Sequence, residues 1–332
     1  MKENTIAFLG EEDYLPAMEN ENRIWREQHV TNGGFITRDG IRLNYYRAEA
    51  ENAKAAVVMI HGYCEFWGKY HEYAWYLWQA GFTVYFLEQR CHGYSGGKLP
   101  EPDLVYIDDF RTYAEDLHEF MDQVVVPKEA GIPLLMMAHS MGGAVGSLFL
   151  ESWPEYFRGA VLSSPMIEMS TGHMHPAKIA AVKLYMILAH KQKELCVGQH
   201  HFDPTPKFAT GSALSEARFN YLFGQRIDDV HYRTAGATFG WVMAAIAVKK
   251  QVLRHADRIR IPITVMQAGR DTLVEAQGID EFMAKVPQAQ KLFYADSKHE
   301  LFNAGDEVRR QYFSDVLNRL ESMAVQEGAK KN

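Results

Sequence analysis

Apolar positions along this 332-residue chain recur in two alternating rhythms. Short continuous runs rich in β-branched and aromatic residues alternate with longer stretches in which apolar residues return every three or four positions. Ala55-Ala56-Val57-Val58-Met59-Ile60, Phe82-Thr83-Val84-Tyr85-Phe86-Leu87, Pro133-Leu134-Leu135-Met136-Met137 and Gly159-Ala160-Val161-Leu162-Ser163 belong to the first kind and predict buried strands. Gly34-Phe35-Ile36-Thr37 and Ile41-Arg42-Leu43-Asn44-Tyr45-Tyr46 flank Asp39-Gly40, a hairpin signal. Residues 69–80 carry Tyr70, Tyr73, Ala74 and Leu77 at helical spacing, closed by Gly81, and residues 105–126 predict a long helix. Then the alternation stops for about 90 residues. From Pro165 to about His255 the chain predicts helices and loops, broken by Pro176, Pro204 and Pro206. Strands return at Pro262-Ile263-Thr264-Val265-Met266 and Lys291-Leu292-Phe293-Tyr294, before an amphipathic helix from about Glu307 to Met323.

This order predicts an α/β fold with a mostly parallel central sheet flanked by helices and a helical cap inserted after the sixth strand. The expected organisation is a core in two parts, residues 1–164 (with an N-terminal extension, 1–33) and 256–325, a cap at 165–255, and a frayed tail at 326–332. No internal repeat is visible.

Composition is that of a soluble globular protein, 47% hydrophobic and 23% charged, with no run of 18 apolar residues to span a bilayer. Met1-Lys2-Glu3-Asn4-Thr5 lacks the apolar core of a secretion signal. Cys64, Cys91 and Cys196 form an odd set without CxxC spacing, which points to reduced thiols and a cytoplasmic location. A net charge of -7 gives nucleic acid no purchase. The charge is uneven, however. Residues 165–255 hold seven Lys and four Arg against three Glu and three Asp, a net +5, leaving -12 for the remainder. A basic cap rich in Met and aromatic residues suits peripheral contact with an anionic membrane surface, here the inner face. The competing reading is uneven scatter of charge on a solvated lid.

Ala138-His139-Ser140-Met141-Gly142-Gly143 lies between a buried strand and a helical pattern, Ala144-Val145-Gly146-Ser147-Leu148-Phe149-Leu150. Strand, tight turn on small residues, then helix is the setting in which small-x-Ser-x-Gly presents a serine nucleophile on a strained turn. Ala138 stands where glycine is usual. Serine is a weak nucleophile at its free pKa, so a base must take its proton and a carboxylate must orient that base. Asp271, in Ala268-Gly269-Arg270-Asp271, and His299, in Ser297-Lys298-His299-Glu300, each directly follow a predicted strand, 28 residues apart. Glu275 is the alternative carboxylate. Asp280 falls inside the following helix, and Asp296 is too near His299 to come from a separate strand. His139 adjoins the nucleophile and should point away from it; His61 and His92 more plausibly shape the site.

The oxyanion needs two prearranged donors. The backbone N–H of Met141 is one, and that of Tyr63, in His61-Gly62-Tyr63-Cys64-Glu65 after the 55–60 strand, is the other. Gly62 and Gly142 are the glycines that permit close approach. Cys64 reads as a buried small residue rather than a thiol nucleophile. The pairs His173/His175 and His200/His201 have neither i, i+4 spacing nor an accompanying ligand cluster, so no metal or other cofactor is expected.

His61-Gly62 with Glu65 and Tyr70, Gln89-Arg90-Cys91-His92-Gly93-Tyr94-Ser95, the Ser140 turn, Gly269-Arg270-Asp271 and His299-Glu300 occur in an order and spacing that resembles the monoglyceride lipase and lysophospholipase branch of the α/β-hydrolases. The resemblance covers roughly residues 34–320, and Arg218-Phe219-Asn220 and Gly236-Ala237-Thr238-Phe239-Gly240-Trp241-Val242 are similar to the cap of the bacterial lysophospholipases. Glu88 and Cys91 depart from the family's usual Asp and Gly-His-Gly. The resemblance implies a Ser140–His299–Asp271 triad, donors at Tyr63 and Met141, and a single-chain lipid ester as substrate. Met166, Met169, Met186, Phe219, Phe223, Phe239 and Trp241 are candidates to line the acyl channel; the alternative for each is a lid packing on itself. A small-ester esterase and a proline-type aminopeptidase, whose cap carboxylates (Glu168, Glu194, Glu216) would hold an amine, are the enzymatic alternatives. A ligand-binding protein on an inactive hydrolase fold is the alternative of another class. Epoxide hydrolases and dehalogenases are disfavoured, since their elbow carries Asp where this chain has Ser140.

Overall fold

The computed structural model describes residues 6–172 and 174–325; the N-terminal pentapeptide, His173 and the 326–332 tail lie outside the described residues. In chain order the elements are α1 (Glu11–Glu19), α2 (Glu21–His29), β1 (Val30–Ile36), β2 (Arg42–Ala48), β3 (Ala55–Ile60), α3 (His71–Gln79), β4 (Phe82–Glu88), β5 (Leu104–Val105), α4 (Phe110–Phe120) and α5 (Val126–Lys128). They continue with β6 (Leu134–His139), α6 (Met141–Ser152), β7 (Gly159–Ser163), α7 (Pro176–Leu188), α8 (Glu216–Asp228), β8 (Gly236–Ala237), α9 (Phe239–His255), β9 (Ile263–Ala268), α10 (Ala276–Lys285), β10 (Gln290–Tyr294) and α11 (Asp306–Val325). Among the described residues, eight strands form one sheet in the order β1-β2-β4-β3-β6-β7-β9-β10. Pairing is antiparallel for β1–β2 and β2–β4 and parallel from β4 to β10. This is an α/β-hydrolase sheet, with the carboxyl ends of six parallel strands on one edge.

The strand period of two splits the core between the faces. Ala56, Val58 and Ile60 of β3, with Met136 and Ala138 of β6, pack into the layer that holds α4, α6, α9 and α10. Ala55, Val57 and Met59, with Leu135 and Met137, pack on α3 and α11. Burial on both faces explains why these strands read as unbroken apolar runs.

Three expectations need correction. The 105–126 helix begins only at Phe110, where the Asp109 side chain accepts the Arg111 N–H. Leu104–Val105 instead pairs in parallel with Gly236–Ala237, and a π turn at Met121–Val125 breaks the regular helix. The first strand starts at Val30, so the 1–33 extension contributes to the sheet, and residues 11–29 form two helices that Pro16 and a polar composition concealed. The 165–255 stretch also divides. Its last helix, α9, buries Ala244, Ala245, Val248 and Val252 in the main core, whereas α7 buries only Met186.

Arg218, in α8, is fully buried and ties three parts together. Its guanidinium forks onto Glu72 of α3 at 2.8 and 2.6 Å, reaches Glu11 of α1 at 3.4 Å, and lies 4.1 Å from the centre of the Tyr14 ring. A planar fork matches a carboxylate at two points, which a lysine cannot do. Arg218→Ala strands Glu72 without its cation, at a cost of about 3–5 kcal/mol. Thermal denaturation should show a lowered midpoint that Glu72→Gln partly restores in the same background; an unchanged midpoint would contradict the anchoring role.

Candidate active site

Ser140 joins β6 to α6 with φ 52° and ψ -119°, a conformation that non-glycine residues avoid. Its neighbours hold it there. The Ser140 N–H donates to Ser163 O at 3.0 Å, and its carbonyl accepts from Gly143 N and Met166 N, both at 2.8 Å. A Cβ on Gly142 would lie 2.1 Å from Ile60 O, and one on Gly143 would lie 2.5 Å from the Pro165 Cβ. Both positions exclude a side chain. The methyl of Ala138 finds room because Gly146 faces it; a Cβ there would meet it at 3.6 Å and the Met136 sulfur at 2.7 Å.

The structure brings His299 and Asp271 together, with Nδ1 and Oδ2 2.6 Å apart. Asp271 Oδ1 accepts the N–H groups of Leu273 and Val274 at 2.9 and 3.2 Å. Burial works against ionisation of Asp271, but His299 and those two donors hold its carboxyl below the usual range. A carboxylate accepting at Nδ1 puts the imidazole proton there and leaves Nε2 as the basic atom. That Nε2 is buried and makes no hydrogen bond with the described residues. The two loops are clamped by main chain: Gly269 N donates to Tyr294 O and Arg270 N to Ser297 O, each at 2.9 Å. Only glycine fits at 269, since a Cβ would lie 2.5 Å from Ala295 O. Ser164, itself at φ 42°, donates its hydroxyl to His299 O at 2.9 Å. Of the rival carboxylates, Glu275 precedes α10, Asp280 pairs with Lys291 at 2.7 Å, and Asp296 is exposed.

The 61–65 loop packs on the Ser140 turn; a Cβ on Gly62 would come 3.0 Å from the Ser140 Cβ. Met141 N–H belongs to the first turn of α6, where the helix itself supplies no acceptor. Two neutral histidines wire the loop. His61 Nε2 accepts from Gln89 N at 2.9 Å while Nδ1 faces Gly62 O at 2.7 Å. His92 Nε2 accepts from Cys64 N at 3.1 Å, with Nδ1 on Arg90 O at 2.9 Å. Burial pushes the two imidazoles down to about 4 and about 3, which keeps the accepting nitrogens unprotonated. Cys64 is no thiolate: burial pushes its thiol up to about 12. His139 bonds Glu65 and its ring lies 5.0 Å from that of His299; Glu65 also accepts the Gly62 N–H at 2.5 Å and pairs with Lys69. Lys69 escaped the sequence reading altogether; its i, i+4 spacing from Glu65 was the available signal.

The candidate acyl-channel residues do not form one wall. Trp241 packs on Tyr63 with ring centres 4.2 Å apart and the planes tilted by 37°, Met166 bonds Ser140 through its N–H, and Met169 bridges Val274 beside the Asp271 loop. Met186 and Phe239 instead pack with Cys196 into a small core within the cap. Phe219 and Phe223 stack on each other at 5.9 Å. Of the paired histidines, His175 caps α7 and His201 bonds Asp103, and no group of three or more potential metal ligands assembles among the described residues.

The family profile Hydrolase_4, described as "Serine aminopeptidase, S33", matches residues 51–306. Lysophospholipase L2 of Escherichia coli strain K12 is 30% identical over 262 residues, covering 78% of this chain and 75% of its own. Monoglyceride lipase of Mus musculus is 30% identical over 282 residues, covering 83% and 85%. Among solved structures, a thermostable carboxyl esterase of Bacillus coagulans aligns with a TM-score of 0.72 at 16% identity, covering 90% of this chain and 100% of that one, a likeness of fold.

A histidine held neutral in the fold takes up its proton more readily when unfolded. Stability from His61 and His92 is therefore complete above the ordinary histidine pKa of about 6.5 and is lost as pH falls toward their folded values. Asp116, Glu88 and Glu151, pushed by burial up to about 6, 7 and 9, act in the opposite direction, so the informative quantity is a difference. Between pH 7 and pH 4.5 the melting temperature of the parent should fall relative to that of His92→Gln. Parallel curves would contradict the neutral-acceptor assignment.

Proposed function

The chain belongs to the Hydrolase_4 family, and from that membership we propose that it is a serine carboxylester hydrolase of single-chain lipid esters, a lysophospholipase or monoacylglycerol lipase, working through an acyl-enzyme on Ser140. In this reading His299 Nε2 takes the Ser140 hydroxyl proton as Oγ attacks the ester carbonyl. The oxyanion that forms meets the N–H groups of Tyr63 and Met141, while Asp271 stabilises the imidazolium. Collapse breaks the bond to the alcohol, which leaves with the proton from His299. Water, deprotonated by the same nitrogen, then attacks the acyl carbonyl and releases the fatty acid and free Ser140.

The observation that carries this reading is the 2.6 Å His299–Asp271 contact, which leaves a buried imidazole Nε2 unengaged. Burial supports it further, because Ser140 and His299 are 9% and 4% exposed, and electrostatic stabilisation is stronger where water is scarce. The family description also raises an aminopeptidase. An amine-holding site needs unpaired cap carboxylates; Glu168 is bound by Lys249 and Glu194 by Lys191, which leaves Glu216, exposed in the first turn of α8, as the remaining candidate of the three. Two of the three carboxylates are thus engaged, which supports an uncharged ester over a peptide amine.

The outer cap supports work at a lipid surface, at the inner face of the membrane. Helix α7 exposes Leu184, Tyr185, Ile187 and Leu188 by 57%, 53%, 47% and 72%, and Lys178, Lys183, Lys191 and Lys193 lie on it or just past it. Apolar residues rimmed by lysines suit the interface of an anionic bilayer. None of the described helices is long and apolar enough to cross one.

Ser140→Ala should lower ester turnover by roughly 10⁴-fold or more, judged from triad removals in other serine hydrolases. A panel of p-nitrophenyl acyl esters, lysophosphatidylcholine, monoolein and a proline arylamide checks substrate class, and preference for the arylamide would overturn the lipid reading. Sedimentation with anionic vesicles should capture the protein at low salt and release it at high salt, with Leu188→Asp weakening capture. Absence of binding at low salt would remove the membrane role.

A further inference from the structure

Lys69 lies in the short 3-10 turn Trp67–Tyr70 that follows the oxyanion loop. Its side chain is only 11% exposed, and its ammonium contacts two carboxylates, Glu65 at 2.7 Å and Glu300 at 2.8 Å. Each carboxylate holds a different part of the site. Glu65 accepts the Gly62 N–H and the Tyr70 hydroxyl, both at 2.5 Å, and lies 3.1 Å from Nδ1 of His139, the residue before Ser140. Glu300 directly follows His299 and accepts from the Asn303 amide at 2.7 Å.

The segments that carry the two donors, the nucleophile and the base thus converge on one ammonium. We infer that Lys69 is a positioning residue for the ester hydrolysis proposed above, setting the oxyanion loop against the histidine loop. This role rests on that reading of Ser140 and His299. Two carboxylates sharing one ammonium at such distances would repel each other in its absence, and the loops they belong to would part. Burial disfavours both charges, yet Lys69 holds both carboxyls below their usual range, so the cluster is ionic.

Stability alone would not require this arrangement. Replacing a buried ion pair by apolar groups is often neutral for stability, whereas a displacement of about 1 Å in a catalytic group can lower the rate roughly 10²-fold. The signature of positioning is therefore kinetic. Lys69 touches no reacting atom, so its loss should act on the transition state while leaving ester binding nearly intact.

The full-length enzyme with p-nitrophenyl butyrate tests this. Lys69→Met should lower kcat roughly 10²-fold, with KM changed by less than about threefold, and Lys69→Arg should recover most of the loss. Affinity for a trifluoromethyl ketone, whose adduct mimics the oxyanion, should fall in step with kcat/KM. Normal kcat per titrated active site in Lys69→Met would overturn the proposal, and so would a loss of kcat without loss of ketone affinity. If Lys69→Met does not fold, Glu300→Gln, which keeps the shape and removes one charge, should lower kcat about tenfold; an unchanged kcat there overturns it equally. Ser140→Ala, measured alongside, separates the two readings. Turnover surviving in Ser140→Ala refutes the nucleophile, whereas its loss there with normal Lys69→Met refutes only the role of Lys69.

Discussion

The approach of Gly142 to the last carbonyl of β3 is the constraint on which the site depends. Strands β3 and β6 pair in parallel with Ile60 opposite Ala138, so the loop leaving one strand and the turn leaving the other emerge side by side. Helix α6 must start at once, because only a tight turn brings its first N–H groups level with that loop. The turn drives Ser140 to φ 52° and leaves no space for a side chain at 142 or 143. A Cβ at 142 would push α6 away from residues 60 and 61, separating Met141 N–H from the Tyr63 loop. Backbone strain at one serine and the absence of two side chains are therefore one geometric requirement.

Beneath that contact the buried polar groups fall into a neutral set and a charged one. The 61–65 loop is wired by His61 and His92, imidazoles held neutral by burial, so no fixed charge comes from either. Around His299, by contrast, stand Asp271 and the Glu65–Lys69–Glu300 cluster, two carboxylates on one ammonium. Glu65 nevertheless belongs to the 61–65 loop and accepts the Gly62 N–H, so its charge lies on the donor side, where Lys69 meets it. Low local dielectric makes that pairing stronger than it would be in water.

Much of this was legible in the sequence because it is local. A run such as 55–60 can only be a strand buried on both faces, and the small residues around Ser140 announce a turn that few other sequences tolerate. Asp271 and His299 were found by their position after strands, a topological signal, and the contact between them follows from adjacent parallel strands. What was hidden depends on distant partners. Val105 reads as the start of a helix until Gly236–Ala237 is available to pair with Leu104–Val105. Arg218 looks like an ordinary cap cation until Glu72, 146 residues earlier, is seen in its fork. Lys69 was invisible for the same reason, since its second carboxylate, Glu300, lies far along the chain.

The cap's positive charge also reads differently once its contacts are known. Several of its cations are spent inward: Arg218 on Glu72, Lys249 on Glu168 and Glu281, and Arg226 and Arg233 on main-chain carbonyls. Lys178 and Lys183 stand on α7, whose apolar side chains the fold leaves uncovered. Helix α9 shows what covering would look like, since it comes from the same stretch of sequence and buries a full face in the main core. The two helices thus differ in what the fold covers. One fixes Trp241 against Tyr63 from inside, and the other offers lysines and aliphatic side chains outward. Net charge over 165–255 is thus a poor measure of the charge this stretch presents outward; the pattern along α7 is the relevant one.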